Sequence, residues 1–263
     1  MMGGLWLAVL AVGPGMCLVH VVWARDKERE PLGNVFFYLL LGAASVLPAV
    51  LLEGVAQHVC PFGGAPLVLL PIQVFLGVAL VEEGSKRLLL HLRARGDPHL
   101  EEPFDWLVYA VAVALGFATV ENLLYVYQGC AGVAVLRAFT AVPGHALDGT
   151  MMGWRLARAA RMQGAGARRE RWLALLEPTA WHAAYDLPLF AAEQDQFTCL
   201  SLLFFGGVVC AQWRICVARV RKLAHEQHHG PPPLLAADEL VRRLRRRRSH
   251  ATPAPAEEDQ PTG

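Results

Sequence analysis

The sequence predicts an all-α fold: a polytopic integral membrane helix bundle of about seven transmembrane helices, N-terminus outside and C-terminus cytoplasmic. Three observations carry this reading. Hydrophobic residues make up 54% of the 263-residue chain and mean hydropathy is +0.34, with the apolar residues gathered in blocks of about the 20 residues that a spanning helix needs. Lys and Arg occupy alternate connectors between the blocks. The ionisable residues inside the blocks cluster at helical spacing.

The blocks run Gly3–Trp23, Asn34–Ala56, Pro66–Leu92, Phe104–Tyr127, Cys130–Trp154, Trp172–Ala191 and Phe197–Val217. Arg25, Lys27 and Arg29 follow the first, Arg93 and Arg95 the third, and Arg155, Arg158, Arg161, Arg168, Arg169 and Arg171 the fifth. A basic tail follows the seventh, whereas the connectors after the second, fourth and sixth hold no Lys or Arg. Positive charge stays on the cytoplasmic side, so the alternation sets the expected orientation. The segment Met1–Trp23 lacks a basic leading region and has its charges on the far side, so a cleaved signal peptide is not expected.

Residues 1–222 read as one membrane domain and 223–263 as a cytoplasmic, basic and disordered tail. Within the tail, Leu234–Arg248 has Leu and Val on one side and Arg on the other, a pattern that suits either anionic lipid headgroups or a solvated segment that enforces topology. The last stretch, ATPAPAEEDQPTG, has the composition of disorder. A net charge of +1 argues for no nucleic acid as partner. The six cysteines contain no C-x-x-C pair. Cys60, Cys130 and Cys199 fall at expected outer ends, but no spacing specifies a disulfide, and free or buried thiols are the expectation.

A charged group at bilayer depth costs roughly 2.5–3.5 kcal/mol on insertion scales, so such groups face the bundle interior and mark function. The stretch VALVEEGSKRLLLHL (Val78–Leu92) places two carboxylates and two cations inside an apolar run. Residues four apart share a helix face, which pairs Glu82 with Lys86 and Glu83 with Arg87. In the fourth block Phe117, Glu121, Tyr125 and Gln128 form a stripe. In the fifth, His145, Gly149 and Gly153 repeat every four residues; the two glycines form a small-residue seam, and Asp148 stands where it can orient the imidazole. In the sixth, His182 and Asp186 share a face with Thr179. His20, His58 and His91 stand alone and read as structural.

Two chemistries use such an inventory. His and carboxylate ligands hold a catalytic metal with one open position. Alternatively, a carboxylate acts as general base on water and a His as oxyanion donor. At 1.5 Å per residue, Glu83, His145 and His182 lie roughly 14–18 Å from their expected cytoplasmic ends, while Glu121 comes out at roughly 25 Å, a misfit in depth.

At these residues the sequence resembles the PrsW family of intramembrane proteases, related to the CAAX-protease and bacteriocin-processing superfamily. The resemblance covers about residues 24–190 and runs through RDKEREP (Arg25–Pro31), VEEGSK (Val81–Lys86), FDWLVYAVAVALGFATVEN (Phe104–Asn122), RAFTAVPGHALDGTMMG (Arg137–Gly153) and HAAYD (His182–Asp186). It implies an all-helical membrane peptidase that cuts membrane-anchored proteins, anti-sigma factors among them, in the bacterial cytoplasmic membrane. It implies Glu82, Glu83, Glu121, His145 and His182 as the catalytic residues, with Glu83 or Glu82 as general base. Glu121, His145, His182 and Asp186 become the expected ligands of a metal, Zn2+ being the candidate; the related CAAX enzymes, with His in place of Glu121 and Asn in place of Asp186, are described as metal-free. Two other classes of protein carry comparable inventories. A proton-coupled carrier uses buried Glu, His and Asp chains, but the inverted repeat common in carriers is not visible. A non-catalytic scaffold for single-pass helices has no need of the intact motifs.

Overall fold

Away from water, a backbone N–H or C=O must find its partner inside its own segment, which is why apolar blocks of this length become helices. In a computed structural model, which describes residues 2–61, 67–127, 131–193 and 198–229, they do. The elements are α1 (Met2–Trp23), α2 (Leu32–Val59), α3 (Leu70–Gln73), α4 (Leu80–Ala94), α5 (Pro103–Tyr127), α6 (Ala131–Phe139), α7 (Ala141–Ala160), α8 (Gly164–Glu193) and α9 (Thr198–His229). No strand occurs among the described residues. The expected helical membrane bundle is therefore what forms. Leu32–Val59, Pro103–Tyr127 and Cys199–Gln227 are long and apolar enough to cross a membrane by length and composition. On α2, Phe36, Leu40, Leu47, Leu51 and Val55 are each 51–69% exposed, an outward apolar row that water would not tolerate and lipid would. Residues 230–263, which include the expected tail helix, lie outside the described residues, as do Gln128 and Cys130. Cys60 and Cys199 are free thiols.

Two blocks are less regular than their composition suggests. The third starts with a tight 3-10 turn (Leu67–Leu69), passes through α3 and a wider π-helical stretch (Val74–Ala79), and only then becomes α4. The fifth breaks at Thr140, whose φ of −121° leaves the helical region and whose hydroxyl donates to the Leu136 carbonyl at 2.9 Å. Pro143 follows in the first turn of α7, where a missing N–H removes no intrahelical bond.

Helix α5 is apolar on every side, the pattern of a helix buried all round, and it is the central element. It packs on α2 and α7 by backbone-to-backbone approach. A Cβ on Gly116 would stand 2.0 Å from the Leu39 carbonyl oxygen, and one on Gly153 of the predicted seam 2.6 Å from Leu107 Cα. Small residues are what bring helices together where lipid offers no hydrophobic drive.

At the end of the bundle that carries the basic connectors, polar side chains tie the turns down. The Tyr109 hydroxyl donates to Glu30, and the Tyr38 hydroxyl to Asp97 Oδ2 at 2.8 Å. Gln227 Nε2 donates to Asp26 and Glu102 at 2.9 Å each, linking α9 to two turns. Burial raises the Asp26 and Glu30 carboxyls above the ordinary carboxylate range, because the charged form has lost its water. Arg155 joins Glu170 at 3.0 Å and Glu177 at 2.5 Å, while Arg158 takes Glu170 at 3.1 Å and Arg219 takes Glu177 at 2.6 Å. Helices α7, α8 and α9 are thereby locked.

Gly116→Ala is expected to destabilise the protein by about 1–3 kcal/mol, the range for overpacking. Gly207→Ala, on α9 with nothing within 4 Å of the new Cβ, is expected to be neutral or to gain up to about 1 kcal/mol. Unfolding in mild detergent measures both, and equal melting temperatures would contradict the close approach.

Candidate active site

The i, i+4 geometry of α4 brings Glu82 and Lys86 together as expected, and the i, i+3 geometry adds Glu83. Lys86 Nζ donates to Glu83 Oε1 at 2.7 Å and to Glu82 Oε2 at 3.1 Å. It also reaches across to α7, 3.1 Å from His145 Nδ1, and lies 4.0 Å from the centre of the Phe117 ring on α5. Lys86 is 1% exposed and Glu83 0%. Arg87, expected to share a face with Glu83, instead points into a separate groove between α4 and α8.

The histidines complete the group. The other ring nitrogen of His145 meets Glu121 Oε2 at 2.9 Å. Because the ammonium of Lys86 can only donate, His145 accepts at Nδ1 and carries its proton at Nε2, toward Glu121. His182 Nδ1 is 3.0 Å from Glu83 Oε1 and its Nε2 is 3.2 Å from Asp186 Oδ2. Both nitrogens thus face carboxylates, and the two rings meet edge to face at 5.3 Å. Asp148 lies 3.7 Å from His182 Nδ1 and accepts a 2.7 Å hydrogen bond from Gln212 on α9.

A cavity of about 410 Å³ opens onto this group, lined by Glu82, Glu121, His145, Asp148, His182 and Asp186, with Glu53 and Arg137. Glu83 is not in its wall. The adjacent carboxylates therefore divide: Glu82 faces the cavity, and Glu83 is sealed behind it against Lys86 and His182.

The structure thus brings together Glu82, Glu83, Glu121, His145 and His182, with Asp186 at the edge. Thr179 turns away and donates to the Leu175 carbonyl at 2.8 Å. With the observed helix ends Glu121 matches the two histidines in depth, and Glu83, about 17 Å from the end of α4 at Ala94, is now the one that differs. Helix α7 runs on to Ala160 and α8 begins at Gly164, so His145 is about 23 Å and His182 about 27 Å from those ends, against about 27 Å for Glu121.

Three residues escaped the sequence reading. Glu53 on α2 lines the cavity, and its Oε1 is buried without a hydrogen bond; an acid inside an apolar block was the available signal. Arg137 pairs with Glu121 at 2.5 Å and stacks 4.0 Å from the Tyr125 ring. The break at Thr140 puts it there, and nothing in the spacing announced that break. Gln212 was visible only as a polar residue in an apolar run.

One ligand atom each of Glu82, Glu83, His145 and His182 lies within 4.8 Å of the others. Two imidazoles and two carboxylates form a donor set that zinc accepts, and Glu83 Oε2 is a buried acceptor without a donor. The residues fit a divalent metal. Glu121 and Asp186, expected as ligands, stand outside that group of four, each bonded to a histidine nitrogen. Carboxylates in that position orient a metal-binding imidazole.

The chain is similar to known proteins over most of its length. The model of a family described as PrsW family intramembrane metalloprotease matches residues 30–211. The chain is 30% identical over 213 residues to Protease PrsW of Geobacillus kaustophilus (strain HTA426), covering 80% of this chain and 89% of that protein. It is 31% identical over 203 residues to Protease PrsW of Bacillus subtilis (strain 168), covering 75% and 90%. It is 29% identical over 224 residues to Protease PrsW of Clostridioides difficile (strain 630), covering 82% and 90%. No solved structure matches the chain.

Removing one partner of a buried ionic group leaves the others uncompensated, at a cost of roughly 3–5 kcal/mol. Lys86→Met is expected to lose about that much stability, and Lys86→Met combined with Glu83→Gln to lose less than Lys86→Met alone. Detergent unfolding of the two variants beside wild type reads this; a Lys86→Met protein as stable as wild type would refute the ammonium's role.

Proposed function

The chain belongs to the PrsW family and is an intramembrane protease; from that premise we propose that it hydrolyses peptide bonds of membrane-anchored proteins in the cavity above Glu82, with Glu82 as general base. The observation that carries this is the division of the paired carboxylates: Glu82 reaches the cavity, and Glu83 does not. A carboxylate that activates water needs access to water, whereas one that holds other side chains in place needs none. Anti-sigma factors are the proposed substrates. The proposed setting is the bacterial cytoplasmic membrane, crossed about seven times with the C-terminus inside, which the alternation of basic connectors supports.

Lys86 holds Glu82 in place through their 3.1 Å contact. Glu82 takes a proton from a water in the cavity as the water oxygen attacks the scissile carbonyl carbon. His182 lines the cavity with its ring held at Nδ1 by Glu83, and its Nε2–H, 3.2 Å from Asp186, would swing from that carboxylate to the developing oxyanion. Glu82 then returns its proton to the leaving amine nitrogen as the C–N bond breaks, releasing a carboxyl and an amine product. His145, held between Lys86 and Glu121, keeps its ring fixed against the cavity. Zinc, if held by His145, His182 and Glu83 with the fourth position open, would supply an acidified water and a Lewis acid for the carbonyl, with Glu82 left free as the base.

Cleavage of a single-pass substrate in proteoliposomes tests the base. Glu82→Gln is expected to lower the rate roughly 10²–10⁴-fold while the protein stays folded. If Glu82→Gln and Glu83→Gln both cleave at the wild-type rate, the mechanism is wrong. Metal per chain, measured on protein purified without chelator or polyhistidine tag, is expected to be near stoichiometric in wild type and lost in His182→Ala. A folded wild type without metal would leave hydrolysis to the carboxylate and imidazole alone.

A further inference from the structure

A second cavity, of about 350 Å³, lies between α4 and α8 at the end of the bundle that carries the basic connectors. Arg87, His91, Arg168 and Arg171 line it together with Trp172 and Leu175. It is separate from the catalytic cavity, with which it shares no lining residue.

Its electrostatics are unbalanced. The charge that acts on Arg87 is that of Arg171, of the same sign. The charges that act on His91 are those of Arg87, Arg95 and Arg171. Among the described residues no carboxylate forms an ion pair with Arg87, Arg168 or Arg171. The nearest acids along α8 are committed elsewhere, Glu170 to Arg155 and Arg158, and Glu177 to Arg155 and Arg219. Arg87 Nη1 is buried and has no hydrogen-bond partner. A buried donor left unmatched costs free energy, and a guanidinium cluster without acids is matched by an anion with several oxygens in fork geometry, as phosphate has.

The apolar surroundings narrow the ligand further. Trp172 and Leu88, which line the groove beside the arginines, are 66% and 52% exposed. Trp next to basic residues at a helix end is the pattern of the membrane–water boundary. Arg87 lies seven residues from the end of α4 at Ala94, and Arg171 seven residues from the start of α8 at Gly164, so both stand about 10 Å inside the helix ends. A free phosphate uses the arginines but not the apolar wall, whereas a lipid uses both.

We propose that the α4–α8 groove binds the headgroup phosphate of an anionic phospholipid through Arg87, Arg168 and Arg171, with the lipid's apolar part against Trp172 and Leu175. This site is distinct from the basic tail. Because α4 also carries Glu82, Glu83 and Lys86, the lipid would brace the helix that supplies the general base.

Native mass spectrometry of the full chain in detergent, titrated with phosphatidylglycerol or phosphatidylcholine, tests the site. Wild type is expected to retain one phosphatidylglycerol at least tenfold more tightly than phosphatidylcholine. Arg87→Gln/Arg171→Gln is expected to weaken it about 25-fold, roughly fivefold per arginine, and Arg169→Gln, outside the groove, to leave it unchanged. Equal retention by wild type and the double variant overturns the proposal, because the lipid is then held elsewhere. Displacement of phosphatidylglycerol by millimolar inorganic phosphate, with the same thermal stabilisation in its absence, also overturns it in favour of a free-phosphate site. If the double variant does not fold, Arg171→Gln alone decides: a fivefold loss supports the lipid site, and no loss overturns it.

Discussion

The arrangement depends on one buried ammonium. Lys86 Nζ stands within 3.1 Å of Glu82, Glu83 and His145 and 4.0 Å from the Phe117 ring, so it makes contacts on α4, α5 and α7. Through Glu83 the contact extends to His182 on α8. Taking an ion out of water costs several kcal/mol even after relaxation, and opposite charges in contact offset that cost for one another. Together they form a mutually compensated group, and four helices are held by the geometry that compensation requires.

That geometry is affordable because the backbones around it are close. The glycine contacts on both sides of α5 bring α2 and α7 against it, which places Glu121 on α5 beside His145 on α7. The break at Thr140 then turns α6 so that Arg137 reaches the other oxygen of Glu121. Three groups in the cavity wall are each oriented by another side chain: His182 by Asp186, His145 by Glu121, and Asp148 by Gln212. Preorganisation of this kind lets fixed dipoles and charges act on a reacting group without rearrangement.

The basic end of the bundle serves two purposes. Arg155, Arg158 and Arg219 are consumed by Glu170 and Glu177 and tie α7, α8 and α9 together. Arg87, Arg168 and Arg171 are left without acids in a groove with an apolar wall. The charge of the connector after the fifth block is therefore divided: part of it builds structure, and part lines the α4–α8 groove.

The sequence by itself determined the class of the molecule and several of the polar residues that meet at the cavity. Block length specifies membrane helices, because a bilayer has a fixed thickness. Four-residue spacing specifies which side chains share a face, because the helix has a fixed period. From these alone the Glu82–Lys86 pairing, the Gly149–Gly153 seam and the His182–Asp186 pair were legible. Only the tertiary structure decided that Glu82 faces the cavity and Glu83 does not, since adjacent residues point about 100° apart and the rotation of α4 against its neighbours selects between them. It also decided that Glu53, Arg137 and Gln212 reach the site, and that Arg87 and Arg171 meet in a groove away from it. A helix's own period says what lies on one face; which face meets which helix is settled by packing between segments far apart in the chain, and no local spacing encodes that.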